Sequence, residues 1–133
     1  MKVFGKEKEE IGVKQMTQNF KNLKVYGEAF GLSKEIYLFL EDKKMSIRAK
    51  EQLLASVSSI CANLAEMAAF ESKGQQRQKI ITCIAEANET EFWLDLNHEL
   101  NILPQREHLD FMNKLVKIRS MLFNLKKTMG EEI

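Results

Sequence analysis

The first predicted helix, from about Leu23 to Glu41, carries two apolar stripes where a packed helix needs one. The first stripe consists of Leu23, Tyr26, Phe30, Tyr37 and Leu40, interrupted once by Ser33. The second stripe consists of Val25, Ala29, Leu32, Ile36 and Phe39. Steps of three and four place each stripe along one face of a helix. A helix that is apolar most of the way round predicts a second partner, which is either a larger core or another subunit.

Three further helices follow from the same periodicity. Ser46 is predicted to cap the second helix, because its hydroxyl can accept a hydrogen bond from a backbone N–H of the first turn. A polar break at 72–74 separates that helix from the third, which is predicted from about Gln76 to Leu100. Pro104 suits the first position of the fourth helix, which is expected to end at Gly130.

Long helices joined by turns of a few residues pack beside their sequence neighbours with opposite directions. The sequence therefore predicts an all-α protein, an antiparallel up-down-up-down four-helix bundle over residues 20–130. Residues 1–19 are polar and are expected to form an N-terminal arm.

Gly27 and Gly31 lie one turn apart inside the first predicted helix. Each costs about 1 kcal/mol relative to alanine in a helix interior. One interpretation is a tolerated imperfection, and the other is the close approach of a second helix backbone. The spacing of one turn favours the close approach.

The fourth predicted helix also has apolar residues outside its inward stripe, and these suggest where subunits meet. The predicted subunit interface combines them with the second stripe of the first helix: Val25, Leu32, Ile36, Phe39, Met112, Val116 and Phe123. The alternative is a scatter of ordinary surface hydrophobic residues. Regular spacing over four turns of the first helix favours the interface, so we expect a homo-oligomer.

Composition narrows the class of protein. At 133 residues, with 44% hydrophobic and 29% charged residues, the chain can form one domain with its own core. Its net charge of +1 provides no overall attraction to nucleic acid or to a membrane. Cys61 and Cys83 lie in apolar helical segments, which favours a reduced buried pair over a disulfide. No apolar run is long enough to cross a membrane and no signal peptide is evident, so we expect a cytoplasmic protein.

Four polar residues fall on or beside the inward stripes of the second and third helices. They are Asn63, Glu66, Asn88 and Glu91. A buried carboxylate must be paired, hydrogen-bonded or protonated. If the second and third helices form a hairpin, Glu66 is expected near Lys79, and Glu91 near residues 50–54 of the second helix.

These residues do not indicate catalysis. A carboxylate-bridged di-iron bundle needs two Glu-x-x-His motifs, and the chain has a single Asp95-x-x-His98. No Ser or Cys has an evident His partner, and there is no glycine-rich phosphate loop. We therefore expect no enzyme activity, no metal, no cofactor and no small-molecule substrate.

The second helix contains Ser-Ile-Cys-Ala-Asn-Leu-Ala-Glu at 59–66, which resembles the Ser-Ile-x-x-Asn-Ile-Ala-Glu-Gly signature of the 23S rRNA intervening-sequence proteins. The stretch 84–91 is similar to that family's Ile-Ala-x-Gly-Ser-x-x-Glu, and 20–26 to its opening Phe-x-x-Leu-x-Val-Trp. The residues at the signature positions are Ser59, Asn63, Glu66 and Glu91, which match, and Asn88, which stands where the signature has serine.

The resemblance implies a four-helix bundle that assembles as a cyclic homopentamer. It also implies a distant relation to the accessory proteins of diversity-generating retroelements, where a basic pentamer is thought to bind nucleic acid. RNA or a ribonucleoprotein is therefore the expected partner, although the biochemical role of the family is poorly defined.

Charge is distributed unevenly between the last two helices. The third helix is acidic between Ile80 and Asn101, whereas the fourth carries cations that are candidates for contacts with phosphates. These are Lys114, Lys117, Arg119, Lys126 and Lys127. The alternative is that the two helices pair their opposite charges, which would leave a homo-oligomeric scaffold for protein partners without nucleic-acid binding.

Overall fold

A computed structural model describes residues 19–43 and 45–131. A short 3-10 helix, Asn19–Asn22, precedes four α-helices: α1 (Lys24–Leu40), α2 (Ile47–Met67), α3 (Lys73–Glu99) and α4 (Gln105–Glu131). Those two ranges contain no β-strand, so the predicted all-α class is confirmed for them. The predicted arm at 1–19 lies outside the described residues except for its last position.

Helix ends follow local hydrogen bonding, and the structure corrects one predicted boundary. Ser46 caps α2 as predicted, because its hydroxyl accepts a hydrogen bond from the backbone N–H of Ala49 at 3.1 Å. Ser72 plays the same part for α3 by accepting from the N–H of Gln75. The polar break therefore starts α3 at Lys73, three residues earlier than predicted.

The turn between α3 and α4 contains a left-handed residue. Asn101 has φ of 61°, a conformation that asparagine tolerates at the end of a helix. The carbonyl of Asn97 accepts hydrogen bonds from the N–H groups of Ile102 and Leu103 and closes this turn. The fourth helix then begins at Gln105, with Pro104 just before it.

Each helix packs against its sequence neighbours, and α4 also packs against α1. Ser33 of α1 donates to the carbonyl of Val57 on α2, and Thr90 of α3 lies 3.0 Å from the hydroxyl of Ser56 on α2. The rings of Phe39 on α1 and Phe111 on α4 meet edge to face. The four helices thus enclose one core.

The core takes the second stripe of α1. The inner side of α1, defined here as its buried residues, consists of Val25, Ala29, Leu32, Ile36 and Leu40. Four of these five aliphatic residues belong to the second stripe, and Leu40 belongs to the first, which also contains two tyrosine hydroxyls and is interrupted by Ser33. Burying such hydroxyls without a partner is costly, so the core selects mainly the stripe that lacks them.

The glycines of α1 do not mark a contact within the chain. A Cβ added at Gly27 or at Gly31 would meet nothing within 4 Å apart from its own helix. The predicted close approach of another helix backbone is therefore wrong for the packing of the described residues.

Candidate nucleic-acid interface

One group of signature residues joins α2 to α3. We call it the Lys79 cluster: Lys79, Glu66, Asn63 and Ser59. The Nζ of Lys79 donates to Glu66 Oε1 at 2.6 Å and reaches Asn63 Oδ1 at 3.4 Å. The amide of Asn63 donates in turn to the carbonyl and hydroxyl oxygens of Ser59. The predicted proximity of Glu66 and Lys79 is confirmed, and the cluster holds two helices together.

The other signature residues join α3 to α4 in what we call the Arg119 cluster. The Nη1 of Arg119 donates to Glu91 Oε1 at 2.6 Å and to Asn88 Oδ1 at 2.9 Å. The predicted position of Glu91 against residues 50–54 of α2 is wrong, because its side chain turns toward α4 and is 38% exposed. Thr90 faces α2 at that level instead.

Two more of the candidate cations on α4 are paired with carboxylates of α1. Lys114 Nζ lies 2.6 Å from Glu35 Oε1 and 3.2 Å from Asp110 Oδ2. Its hydrogen bond with Glu35 raises the pKa of Lys114 above the ordinary lysine value. Lys117 lies 3.8 Å from Glu28. The charges of Lys114, Lys117 and Arg119 are thus neutralised within the chain, which changes their interpretation as phosphate contacts.

The last two candidate cations differ from these three. Among the described residues, neither Lys126 nor Lys127 has a carboxylate within ion-pair distance. Lys126 lies over the ring of Phe123, with its Nζ 5.3 Å from the ring centroid, and Lys127 is exposed. These two lysines are the members of the predicted set whose charge remains available to an anionic partner.

The structure corrects the predicted subunit interface on α1. Val25, Leu32 and Ile36 are 5%, 1% and 0% exposed, so they lie inside the bundle and are not available to a second subunit. Phe39 packs against Phe111 at the edge of the same core. The sequence pattern showed two stripes but did not show which of them the chain itself would cover.

On α4 the predicted interface residues do reach the surface. Val116 and Phe123 are both exposed, and Met112 is partly buried against the core. They stay candidates for a contact between copies.

The sequence analysis missed the residues that are actually exposed on α1. The outer side of α1, defined here as Phe30, Tyr37 and Leu38, is 53%, 62% and 62% exposed. Together with Ser33 and Lys34, these residues line a hollow of about 300 Å³. Phe30 and Tyr37 belonged to the stripe that was assigned to the core, so reversing the two stripes would have found them.

A histidine pair beside the α3–α4 turn was also missed. The rings of His98 and His108 stack in parallel with centroids 4.2 Å apart. His98 Nδ1 lies 3.0 Å from the carbonyl oxygen of Leu103, and His108 Nε2 lies 2.9 Å from Asp95 Oδ1. His98 thus ties the turn to α3, and His108 ties α4 to α3. Two histidines flanking a predicted helical turn were the available sequence signal.

Burial raises the pKa values of three titratable groups. Burial raises the pKa of the Cys61 thiol to about 11 and that of Cys83 to about 12, so neither is a reactive thiolate at neutral pH. Burial also raises the pKa of Glu86, with a further increase from Glu89 and a partial offset from the Ser59 hydroxyl.

Within residues 19–43 and 45–131 no three His, Cys, Asp or Glu side chains are grouped so that they could hold a metal ion. None of the helices described has the length and apolar character needed to cross a bilayer.

Comparison with known proteins places this geometry in a family. The sequence profile of the 23S rRNA-intervening sequence proteins matches residues 21–124, which include α1, α2, α3 and most of α4. A crystal structure from Bacteroides thetaiotaomicron, of a protein with unknown function from the S23 ribosomal protein family, is similar with a TM-score of 0.73 and 26% identity. The match covers 77% of this chain and 95% of that chain. No curated protein matches the sequence.

Proposed function

The chain belongs to the 23S rRNA-intervening sequence protein family, and from this premise we propose that it is a non-enzymatic, homo-oligomeric bundle that binds RNA or a ribonucleoprotein. The contact is made by basic surfaces and needs no cofactor. The proposal includes a cytoplasmic location.

The observation that carries the RNA contact is the difference among the cations of α4. Lys114, Lys117 and Arg119 are paired with carboxylates, whereas Lys126 and Lys127 have no such partner among the described residues. A phosphate that replaces water and counterions around an unpaired lysine gains the electrostatic term that dominates RNA affinity. At a lysine that is already paired, the phosphate would first have to displace a carboxylate.

The contact pairs between helices support an antiparallel up-down-up-down order for this bundle. Residue numbers fall along α3 as they rise along α2, from Glu66–Lys79 to Ser56–Thr90. Likewise, residue numbers fall along α4 as they rise along α3, from Asn88–Arg119 to Asp95–His108.

Self-association is supported by the outer side of α1. Three large apolar side chains, Phe30, Tyr37 and Leu38, are more than half exposed on one helix. Such a cluster is characteristic of a surface that another protein covers. We propose that a second copy covers it in a closed ring, with five subunits expected from the family resemblance.

Light scattering at micromolar concentration tests the assembly. The expected mass is a multiple of the 15.4 kDa subunit, with five copies as the specific expectation. The mass of a single folded subunit would contradict self-association.

A salt series tests the RNA contact. We expect the full chain to retain structured RNA at low salt and to release it as salt rises, because phosphate binding releases counterions. Absence of retention even at low salt would contradict RNA binding. That result would leave the alternative function, a homo-oligomeric scaffold for a protein partner, which the outer side of α1 also supports.

A further inference from the structure

The density of positive charge differs between the two ends of this bundle. Adding up the charges of each whole helix hides this difference. In α3 the basic residues Lys73, Arg77 and Lys79 come first, and the acidic residues follow from Glu86 to Glu99. In α4 the order is reversed, with Glu107 and Asp110 near the start and Lys126 and Lys127 near the end.

Tertiary contacts bring the basic parts of the helices to one end of the molecule. Asn88 of α3 meets Arg119 of α4, and the same register continued by three turns sets Arg77 beside the last turn of α4. Lys24 at the start of α1 lines a groove with Asn124 and Thr128 of α4. We call this region the basic end; its cations are Lys21, Lys24, Lys73, Arg77, Lys79, Lys126 and Lys127.

Two of the acidic side chains at this end are already neutralised. Glu28 is paired with Lys117, and Glu66 is paired with Lys79. Glu71 is an exposed carboxylate there, and the side chain of Glu131 lies outside those described. Among the side chains that the structure describes, the basic end therefore keeps an excess of positive charge after these ion pairs are formed.

Helix stability does not account for the lysine that begins α1. The first turns of α1 and α3 contain no acidic residue and begin with Lys24 and Lys73. The partial positive charge at a helix N-terminus favours acids and disfavours cations there. An anion bound at the start of α1 would meet both Lys24 and the N-terminal end of the helix dipole with favourable sign.

The basic end also has a place for a flat ring. The half-buried Phe70, which follows α2, lines a hollow of about 400 Å³ at the start of α3. The other residues that line it carry polar side chains or none: Gly74, Gln75, Gln78, Lys79 and Thr82. An aromatic ring beside side-chain amides and a hydroxyl is the combination that receives an unstacked base of single-stranded RNA.

The surface of this end does not suit a lipid bilayer. Phe123, whose ring lies beneath Lys126, and Phe30 lie at the edge of this region, but no exposed large apolar side chain falls within 19–29, 66–82 or 124–129. A membrane-binding surface combines cations with exposed apolar residues that enter the interface. Cations with a single aromatic hollow fit a hydrated polyanion better.

We infer that the basic end is the RNA-binding site and that it takes a single-stranded segment. Lys24, Arg77, Lys126 and Lys127 contact the phosphates, and one unstacked base lies on Phe70 in the hollow. This inference rests on the proposed function and adds to it the position of the site and the kind of RNA. It assigns no direct contact to Lys114, Lys117 or Arg119.

The first test compares two double variants of the full chain that remove the same charge from the same helix. Lys126→Gln with Lys127→Gln should weaken binding of a short fluorescent single-stranded RNA by about tenfold at low salt. It should also lower the slope of log affinity against log salt by about 1.4, since each lost contact with a single strand contributes roughly 0.7. The matched control, Lys114→Gln with Lys117→Gln, should bind within about twofold of the wild type.

The second test concerns the hollow. Wild-type protein should prefer the single strand over a duplex of the same length, because only the single strand can present an unstacked base. Phe70→Leu keeps an apolar side chain but removes the ring, so it should weaken single-strand binding at least about fivefold and leave duplex binding unchanged. Phe92→Leu is the control, since Phe92 is an exposed aromatic residue of α3 outside the basic end.

The outcomes separate the site from the function. If wild-type protein binds neither RNA, both the inference and the proposed function fail. If it binds but the Lys126 and Lys127 variant matches the control, RNA binding stands and the basic end is the wrong site. A single-strand preference that persists in Phe70→Leu would overturn the assignment of the hollow. Thermal unfolding of each variant excludes loss of fold as the cause.

Discussion

The inner and outer sides of α1 have nearly the same hydrophobic content but opposite surroundings. Leu32 and Ile36 on the inner side are completely enclosed by the bundle, whereas Phe30 and Tyr37 on the outer side are more than half exposed. The two sides are neighbouring faces of one helix. Periodicity therefore identifies apolar faces, but the polar groups within a face determine which one the chain itself can bury.

The largest expected difference between the two sides is in stability. Ile36→Ala should lower the free energy of unfolding by about 2–5 kcal/mol, because it leaves a cavity in a close-packed core. Lys34→Ala, an exposed position on the same helix, should change it by less than about 0.5 kcal/mol. Urea denaturation at one protein concentration measures both. A loss below 1 kcal/mol for Ile36→Ala would contradict the assignment of the inner side.

The outer side should affect assembly instead. Phe30→Ser with Tyr37→Ser should reduce the mass measured by light scattering to that of one subunit, and the helical circular dichroism signal should remain. The reason is that these side chains bury little surface within the chain and are proposed to bury it against a second copy. Leu109→Ser serves as the control, because Leu109 is as exposed as Phe30 but lies near the α3–α4 turn. An unchanged mass for the double variant would show that the outer side is not the contact.

The coupling energy of an ion pair between α1 and α4 tests how exposed α1 is between its inner and outer sides. Glu35 and Lys114 are 2.6 Å apart, with side chains 43% and 39% exposed. A double-mutant cycle with alanine at both positions should give a coupling energy of about 0.2–1 kcal/mol, reduced by added salt. A coupling well above this range would mean that the pair is effectively desolvated, for instance by a second subunit.

The smallest predicted effect is the contribution of the Cys61 thiol to the free energy of unfolding, and it is absent at neutral pH. Cys61 lies under α1, with its thiol donating to the carbonyl of Tyr26 at 3.9 Å, and burial raises its pKa from 9.0 to about 11. Between these values the folded chain keeps a proton that the unfolded chain loses, so this group lowers stability as pH rises above about 9. Cys61→Ala should flatten the decline of unfolding free energy between pH 9 and 11. An equally steep decline in that variant would contradict burial of the thiol.

Much of the fold could be predicted because it depends on local signals. Ser46 and its capping hydrogen bond, the four helices and the pairing of Glu66 with Lys79 follow from spacing, hydroxyl chemistry and a hairpin register. The position of Glu91 could not be found in this way. A rotation of α3 by a fraction of a turn moves this residue from the α2 side to Arg119 on the α4 side, and helical spacing alone does not specify that rotation.

The candidate site shows the same limit. The five cations of α4 could be named from the sequence, but their availability depends on partners that lie far away along the chain. Glu35 and Glu28 of α1 neutralise Lys114 and Lys117, and Glu91 of α3 neutralises Arg119. Lys126 and Lys127 lie further along α4 than these three cations, and the carboxylates that pair with the three do not pair with them.

The amino-acid sequence alone determined the helical class, the helix number, the Ser46 cap and the presence of surplus apolar surface, because each depends on residues within a few turns of one another. The tertiary structure decided which stripe of α1 is buried, which cations stay unpaired and how the charges of four helices combine into one basic end. Those outcomes depend on the rotation of each helix and on contacts between residues distant in the chain, for which local periodicity carries no information.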